Sequence, residues 1–358
     1  MYRNSYIEVD LDALKANARY FMERNGKQLI GVVKANGYGI GALAEVKTLK
    51  EAGVSFFAVS SLDEALNLRH NGIDDKILVL GCVPSSVMDL IRENDISIVT
   101  LSREFVEKTD LKDVKVHLKI DTGMNRIGIE IEEAKQILDL LIEKGALVEG
   151  VMSHFSSADF DEEYSRKQYA SFKECILGLN YDFRYIHMSA TDASLLIDDD
   201  ICNAQRIGLG LLGYSAHESE LKPCMKLCSE VSMVKKLQAG ETVSYGRHYT
   251  SDGNGWLLTV PIGYADGFYR SNTGMKAYCE NEYGTIVGSI CMDQMMILTD
   301  SYHPVGCKVE LLGGHIDVEE RAGQLGTITY ELFTSLSDRL TRYYLKDHQV
   351  IARIDPRF

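Results

Sequence analysis

Leu29-Ile-Gly-Val-Val-Lys34-Ala-Asn-Gly-Tyr38-Gly-Ile-Gly-Ala42 decides how this chain is read, because a wholly apolar run ends in one lysine. Leu29 to Val33 has the pattern of a strand buried on both faces. Asn36, Gly37, Gly39 and Gly41 then supply a tight turn before a helix opens near Ala42. Lys34 therefore leaves the core at the rim of a sheet. Burial disfavours an ammonium and lowers its pKa from about 10.4, at roughly 1.36 kcal/mol per unit, so a neutral amine near pH 7 is attainable. Such an amine can form a Schiff base with a carbonyl compound. Two other readings compete: a lysine that snorkels from a strand end, and a dinucleotide fingerprint over Gly37 to Ala42. Against the second, the next strand, Phe56 to Ser60, ends in Ser60 and Ser61 rather than in a ribose-binding acid.

Outward from this stretch, apolar strands alternate with amphipathic helices. An opening strand at Tyr6–Leu11 and a helix over Asp12–Arg24 precede eight strands. These are Leu29–Lys34, Phe56–Ser60, Ile77–Gly81, Ile96–Leu101, Val114–Asp121, Leu147–His154, Tyr185–Ser189 and Asn203–Leu209, with helices such as Ile131–Gly145 and Glu162–Leu179 between them. Eight strand–helix rounds predict an α/β fold, a parallel (β/α)8 TIM-type barrel, with an open sheet as the alternative. In a barrel, chemistry sits at the C-terminal ends of the strands. Lys34, Lys119, Asp121, Arg126, His154, Ser189 and Arg206 all fall there.

The pattern then changes to strands joined by turns: Lys226–Leu237, Trp256–Ala265, Thr285–Leu298 and Lys308–Gly314, a helix over Thr327–Leu345 and a last strand, Gln349–Asp355. The expected division is a barrel over 1–222 and a mainly β C-terminal domain over 223–358, with the first ten or so residues pairing with the second domain. Within it, Val260-Pro-Ile-Gly-Tyr264-Ala-Asp-Gly267 ends an apolar strand in a turn that displays a tyrosine.

A chain of 358 residues with net charge −14 and a pI near 5.2 has no basic run to bind nucleic acid, which leaves small-molecule chemistry. The start lacks the apolar core of a signal peptide, and no apolar run is long enough to span a membrane, so a cytoplasmic location is expected. The eight cysteines are scattered, and Cys224 and Cys228 have no second pair to complete a zinc site, so no metal is expected.

Together these motifs resemble the alanine racemase family, pyridoxal-phosphate enzymes that join a barrel to a C-terminal β domain. VVKANGYGIG is similar to the family's cofactor-lysine signature, KIDTGMNRIG to its arginine motif and SHFSSAD to its histidine motif. QRIGLGLLG is similar to the pyridine-contact motif, and PIGYADG and ICMDQ to the two C-terminal motifs. The resemblance spans nearly the whole chain. It implies an amino-acid racemase that interconverts L- and D-alanine, with pyridoxal 5′-phosphate held by Lys34. Tyr38, Ser189, Gly208 and Leu209 are implied around the phosphate, and Arg206 at the pyridine nitrogen.

Racemisation needs a proton carrier on each face of Cα, and the resemblance assigns these to Lys34 and Tyr264. Tyr264 is implied to come from the other subunit of a homodimer whose active sites the partner completes. A free tyrosine titrates near 10, so its phenolate needs help, which His154 is implied to provide. Arg126 and Met292 are implied at the substrate carboxylate, and Asp293 in support. Lys119 matches a position carbamylated in some members.

The departures are Ile40, Leu212 and Met188, where histidine, tyrosine and asparagine are usual, and Asp338 in TYELFTSLSDRLTRYY, where the alanine enzymes place a tyrosine. An ionised Asp about 6 Å from a phosphate is repelled by roughly 3 kcal/mol at an effective dielectric near 20, so it needs a partner. Arg342, four residues on along the expected helix, is the structural candidate. The functional alternative is that Asp338 binds a polar substrate side chain and favours serine, lysine or ornithine. A decarboxylase on the same kind of barrel is more remote, since its glycine-rich phosphate loop and late cysteine segment find no counterpart.

Overall fold

The computed structural model describes residues 3–355. The chain divides into two compact units, Ala13–Lys222 and a second made of Met1–Asp12 with Pro223–Phe358.

The first unit is a closed barrel of eight parallel strands: Gln28–Val32, Phe56–Val59, Lys76–Val79, Ile96–Val99, Lys115–Lys119, Leu147–Met152, Tyr185–His187 and Ala204–Ile207. The last pairs with the first, with Ile30 opposite Arg206. Phe56–Val59, Ile96–Val99 and Ala204–Ile207 are buried throughout, as expected of parallel strands covered on both faces. The helices follow the expected order, among them Leu11–Asn25, Ala42–Ala52, Ala134–Glu143 and Glu162–Leu179. Their starts are capped by side chains where the sequence supplies them: Ser61 accepts from the Glu64 N–H, Ser102 from Phe105 and Asp161 from Tyr164.

The second unit holds a ten-stranded sheet. In spatial order its strands are Met233–Leu237, Gly255–Val260, Met295–Thr299, Glu282–Val287, Lys276–Cys279, Lys308–Leu312, Met225–Glu230, Ser5–Asp10, Thr341–Lys346 and Gln349–Ile354. Ser5–Asp10 runs antiparallel to Met225–Glu230 and parallel to Thr341–Lys346.

Three expected elements are corrected. The run Lys226–Leu237 is two strands, because the chain leaves one neighbour and joins another at Val231 and Ser232, whose N–H groups donate to Cys307 and Thr259. The run Thr285–Leu298 is also two strands, parted by Gly288 at φ +70 and by a turn in which Cys291 N–H donates to the Gln294 carbonyl. The helix expected over Thr327–Leu345 ends at Thr334, and Thr341–Lys346 is a strand. Here β-branched Thr341 and the paired tyrosines prefer the pleated surface, and Thr341, Arg342 and Tyr344 are buried in it.

Candidate active site

Lys34 stands just past the first barrel strand, at the head of an unusual turn. Ala35, Asn36 and Gly37 have φ/ψ of 53/49, 53/47 and 63/46, and Tyr38 has φ 51, which makes a single left-handed coil. Asn and Gly tolerate this region, whereas Ala and Tyr are disfavoured there by roughly 1–2 kcal/mol each. The coil is held by bonds from Gly37 N–H to Val33 O (2.9 Å), Gly41 N–H to Asn36 O (2.8 Å) and Ala42 N–H to Asn36 Oδ1 (3.0 Å). Glu64 locks it from the side, accepting from Ala35 N–H at 2.6 Å and Ser60 N–H at 2.7 Å. Burial lowers the Lys34 pKa, and the cations Arg126 and Arg206 lower it further against the opposing pull of Glu64.

Arg206, on the last strand, is buried and makes five hydrogen bonds. Three go to the carbonyls of His187 (3.1 Å), Ser153 (2.9 Å) and Met188 (2.9 Å). The others go to His187 Nδ1 at 2.7 Å and His154 Nδ1 at 3.0 Å. A guanidinium only donates, so both imidazoles accept at Nδ1 and carry their proton on Nε2. His187 Nε2 then donates to His117 Nδ1 at 2.8 Å, and His117 Nε2 faces Glu149 Oε1 at 3.3 Å. Burial, helped by the Arg206 charge, holds His154 and His187 well below the usual histidine range, so both are neutral. Burial alone would raise Glu149, but hydrogen bonds from His117, Lys76 and Ser97 outweigh it and bring its pKa down to about 2. The result is a directed chain from a buried cation to an anion through two neutral rings. Sequence reading missed His187, His117 and Glu149. The signal available was two strands with histidine at an inward position, but registering the two rings against each other needs the closed barrel.

The motif after Arg206 supplies bare backbone. A Cβ placed on Gly208 would lie 2.3 Å from the Tyr38 hydroxyl, so only glycine lets this strand end approach the tyrosine. Leu209 follows and is buried. Ser189, just past the seventh strand, is buried and donates to Asp199 Oδ2 at 2.6 Å. Lys119 closes the fifth strand. Burial, together with the charges of Arg206 and Arg126, brings its pKa down to about 8 against the pull of Asp121. The loop that carries Arg126 is shaped by Asp121, whose Oδ1 accepts from the N–H groups of Gly123 (2.9 Å), Met124 (3.0 Å) and Asn125 (3.2 Å). Lys34, Lys119, Arg126, His154 and Arg206 thus share one electrostatic environment at the strands' C-terminal rim. Among the described residues, no carboxylate is within ion-pair distance of Lys34, Lys119, Arg126 or Arg206.

The second unit gathers the other predicted residues on one set of turns. Tyr264 opens a short 3₁₀ turn, Tyr264–Asp266, and its N–H donates to Cys291 O at 3.1 Å, while Ala265 N–H donates to Met292 O at 3.1 Å. Asp266, fully buried, accepts from Gly263 N–H at 3.0 Å and pairs with Arg3. Arg339 donates to Asp293 Oδ1 at 2.6 Å, which ties the Met292–Asp293 turn to the Asp338 turn. Tyr264 and Met292 are 42% and 53% exposed, so their side chains are presented outward by this framework. Asp338 does face Arg342, at 3.4 Å, but from a turn onto a strand and not along a helix. Arg342 is itself buried and donates to Leu340 O at 2.8 Å.

Residues 9–216 match the model of the alanine racemase N-terminal domain and residues 224–344 that of the C-terminal domain. The chain belongs to the alanine racemase family. It is 39% identical to the alanine racemase of Staphylococcus epidermidis, over 97% of this chain and 96% of that one. Its structure is similar to that of the Bacillus anthracis alanine racemase with bound L-Ala-P, at a TM-score of 0.93 and 34% identity, covering 99% of this chain and 98% of that one. It is also similar to a histidine racemase from Leuconostoc mesenteroides, at a TM-score of 0.89 and 28% identity, covering 96% of this chain and 99% of that one. As a member of this isomerase family, the chain has the barrel and β sheet described above as its shared architecture. Among the described residues no helix is long and apolar enough to cross a membrane.

Proposed function

We propose that this chain interconverts L- and D-alanine in the cytoplasm as a homodimer, with pyridoxal 5′-phosphate held in the barrel by Lys34. The observation that carries the reading is the cluster of Lys34, Lys119, Arg126 and Arg206 at the barrel rim, with no carboxylate at ion-pair distance among the described residues, since an excess of positive charge there favours anions. A phosphate and an amino-acid carboxylate satisfy that need. The bare backbone at Gly208, brought against the Tyr38 hydroxyl, suits the close approach of a phosphate, with Ser189 and Leu209 beside it. When bound, the cofactor supplies an electron sink for the Cα–H bonding pair.

The remaining chemistry belongs to the protein. Lys34, its ammonium disfavoured by burial and by two neighbouring cations, is suited to hold the cofactor and to take or return a proton on one face of Cα. Arg206, with its pKa lowered by burial only to about 10, remains a cation at neutral pH. Arg206 would face the pyridine nitrogen of a bound cofactor and, as a guanidinium that stays charged, would offer it a hydrogen bond without giving up a proton, which would temper the cofactor's pull on electrons. Tyr264 of the partner subunit is the proton carrier for the other face, and its exposure on a rigid turn supports that role. His154, pinned at Nδ1 by Arg206, has Nε2–H left to stabilise a phenolate. Arg126, with the Met292 backbone of the partner subunit, holds the substrate carboxylate, and Asp293 supports that turn by accepting from Arg339. Lys119, with its pKa lowered toward neutrality, is suited to combine with CO2 as a carbamate, release a proton and so place an anion beside Arg126.

Asp338 is engaged with Arg342, which favours a structural role and leaves alanine as the substrate ahead of serine, lysine or ornithine. The test is loss of the α-proton NMR signal in D2O with L- and D-alanine, L-serine, L-lysine and L-ornithine. Alanine should exchange fastest. Tyr264→Phe should abolish exchange of one alanine enantiomer while sparing the other. Absence of exchange with alanine, or wild-type exchange of both enantiomers by Tyr264→Phe, would refute the assignment.

A further inference from the structure

The reading of the sequence left no place for a metal, because Cys224 and Cys228 lack companions. The fold of the second unit assembles a different set. Strands Lys276–Cys279 and Glu282–Val287 are joined by Glu280 and Asn281, at φ 29 and φ 70, in a two-residue turn. The segment that leads from Thr299 into the strand Lys308–Leu312 folds against this turn, with Cys307 N–H donating to Pro304 O at 3.0 Å. Three kinds of donor meet there: one ligand atom each from Glu280, His303 and Cys307, all within 4.8 Å of one another. His303 and Cys307 are buried and Glu280 is exposed.

The spacing has the scale of a coordination sphere. Cys307 Sγ lies 3.7 Å from His303 Nδ1. Bonds of about 2.3 Å to sulfur and 2.0–2.1 Å to nitrogen at a tetrahedral angle put those atoms about 3.5–3.6 Å apart. The other ring nitrogen, His303 Nε2, is 3.0 Å from Glu282 Oε2. Glu282 is fixed in turn by the N–H groups of Asp300 at 2.7 Å and Ser301 at 3.2 Å. A carboxylate that orients a histidine through its outer nitrogen, leaving the inner one free to ligate, is the usual outer support of a metal-bound imidazole. Thiolate, imidazole and carboxylate together select a borderline-soft divalent ion rather than calcium or magnesium.

We propose that Glu280, His303 and Cys307 bind a divalent zinc-class cation, with Glu282 positioning the histidine and solvent water closing the fourth position on the Glu280 side. The site ties the hairpin turn to the following loop and involves none of the residues assigned to racemisation. Binding releases one proton from the Cys307 thiol to solvent and leaves a metal-bound thiolate.

The test uses the full-length protein with its cofactor, stripped by chelator and then titrated with Zn2+ or Co2+, with metal measured after equilibrium dialysis. The expected result is one Zn2+ per chain, a rise in Tm, and a Co2+ spectrum with thiolate charge-transfer absorption in the near ultraviolet. Cys307→Ser should remove that absorption, and Glu282→Gln should weaken Zn2+ binding by about 10–100-fold. Glu280→Gln, an isosteric change at an exposed residue, should weaken Zn2+ binding about tenfold or more. Alanine racemisation should be unchanged in all three variants. No stoichiometric uptake, or the same affinity and cobalt spectrum in Cys307→Ser and Glu280→Gln as in the wild type, would overturn the proposal.

Discussion

Glu45 lies in the helix Ala42–Ala52, directly behind the left-handed coil that carries Lys34 and Tyr38. It is fully buried, and neither carboxyl oxygen has a hydrogen-bond partner among the described residues. A Cβ on Gly37 would lie 2.3 Å from Glu45 Oε2, so the glycine makes room for the carboxyl. Burial raises the Glu45 pKa well above its ordinary 4.5. The folded state therefore holds this proton more tightly than the unfolded chain. Below pH 4.5 the group costs nothing in ionisation, and stability is lost as the pH climbs through the folded value, by at most about 1.4 kcal/mol per pH unit. Glu45→Gln keeps the shape and removes the ionisation. The variant should match the wild type near pH 4.5 and exceed it progressively above. Between pH 5 and 7 the gap should widen by at most about 2.7 kcal/mol. At about 2–4 °C per kcal/mol for a domain of this size, that is a Tm difference of up to roughly 5–11 °C. Glu45→Met, which removes both orphan oxygens, should gain a further 1–3 kcal/mol or so at every pH, less any overpacking. Thermal melts of the three proteins from pH 4.5 to 8 measure both effects. A gap between wild type and Glu45→Gln that stays flat over this range would refute the argument.

Other expectations follow from the site. Gly208→Ala must push the Tyr38 ring aside by about 1 Å, at roughly 1–3 kcal/mol. Pyridoxal-phosphate affinity, followed by its visible absorbance, should fall about 5- to 150-fold. His187→Leu removes a neutral acceptor from the Arg206 guanidinium and should lower the urea-unfolding free energy by about 1.5–3 kcal/mol. An unchanged midpoint would mean that the buried chain from Arg206 to Glu149 contributes nothing. Lys119, with a pKa of about 8, should take up 13C-labelled bicarbonate as a carbamate with a distinct carbon resonance, absent in Lys119→Ala and fading as the pH falls below 8.

Much of the barrel could be read from the sequence because burial on two faces leaves apolar runs, and eight such runs alternate with amphipathic helices. Lys34, Lys119, His154, Ser189 and Arg206 could be placed at strand ends because the strand period itself locates them. The left-handed coil was legible only as a turn, since Ala35 and Tyr38 carry no mark of positive φ and adopt it because Glu64 and Val33 hold the backbone there. The strand Thr341–Lys346 was hidden by a run of residues compatible with a helix, and became a strand because Ser5–Asp10 and Gln349–Ile354 offer it two edges.

The sequence by itself determined which residues would stand at the rim of the barrel and which family they resemble, because those depend on local period and motif order. Only the tertiary structure decided what those residues face. The neutral tautomers that run from Arg206 to Glu149, the orphaned carboxyl of Glu45, and the meeting of Glu280, His303 and Cys307 each join segments far apart in the chain. Pairings of that kind are set by barrel closure and sheet register, which no local pattern encodes.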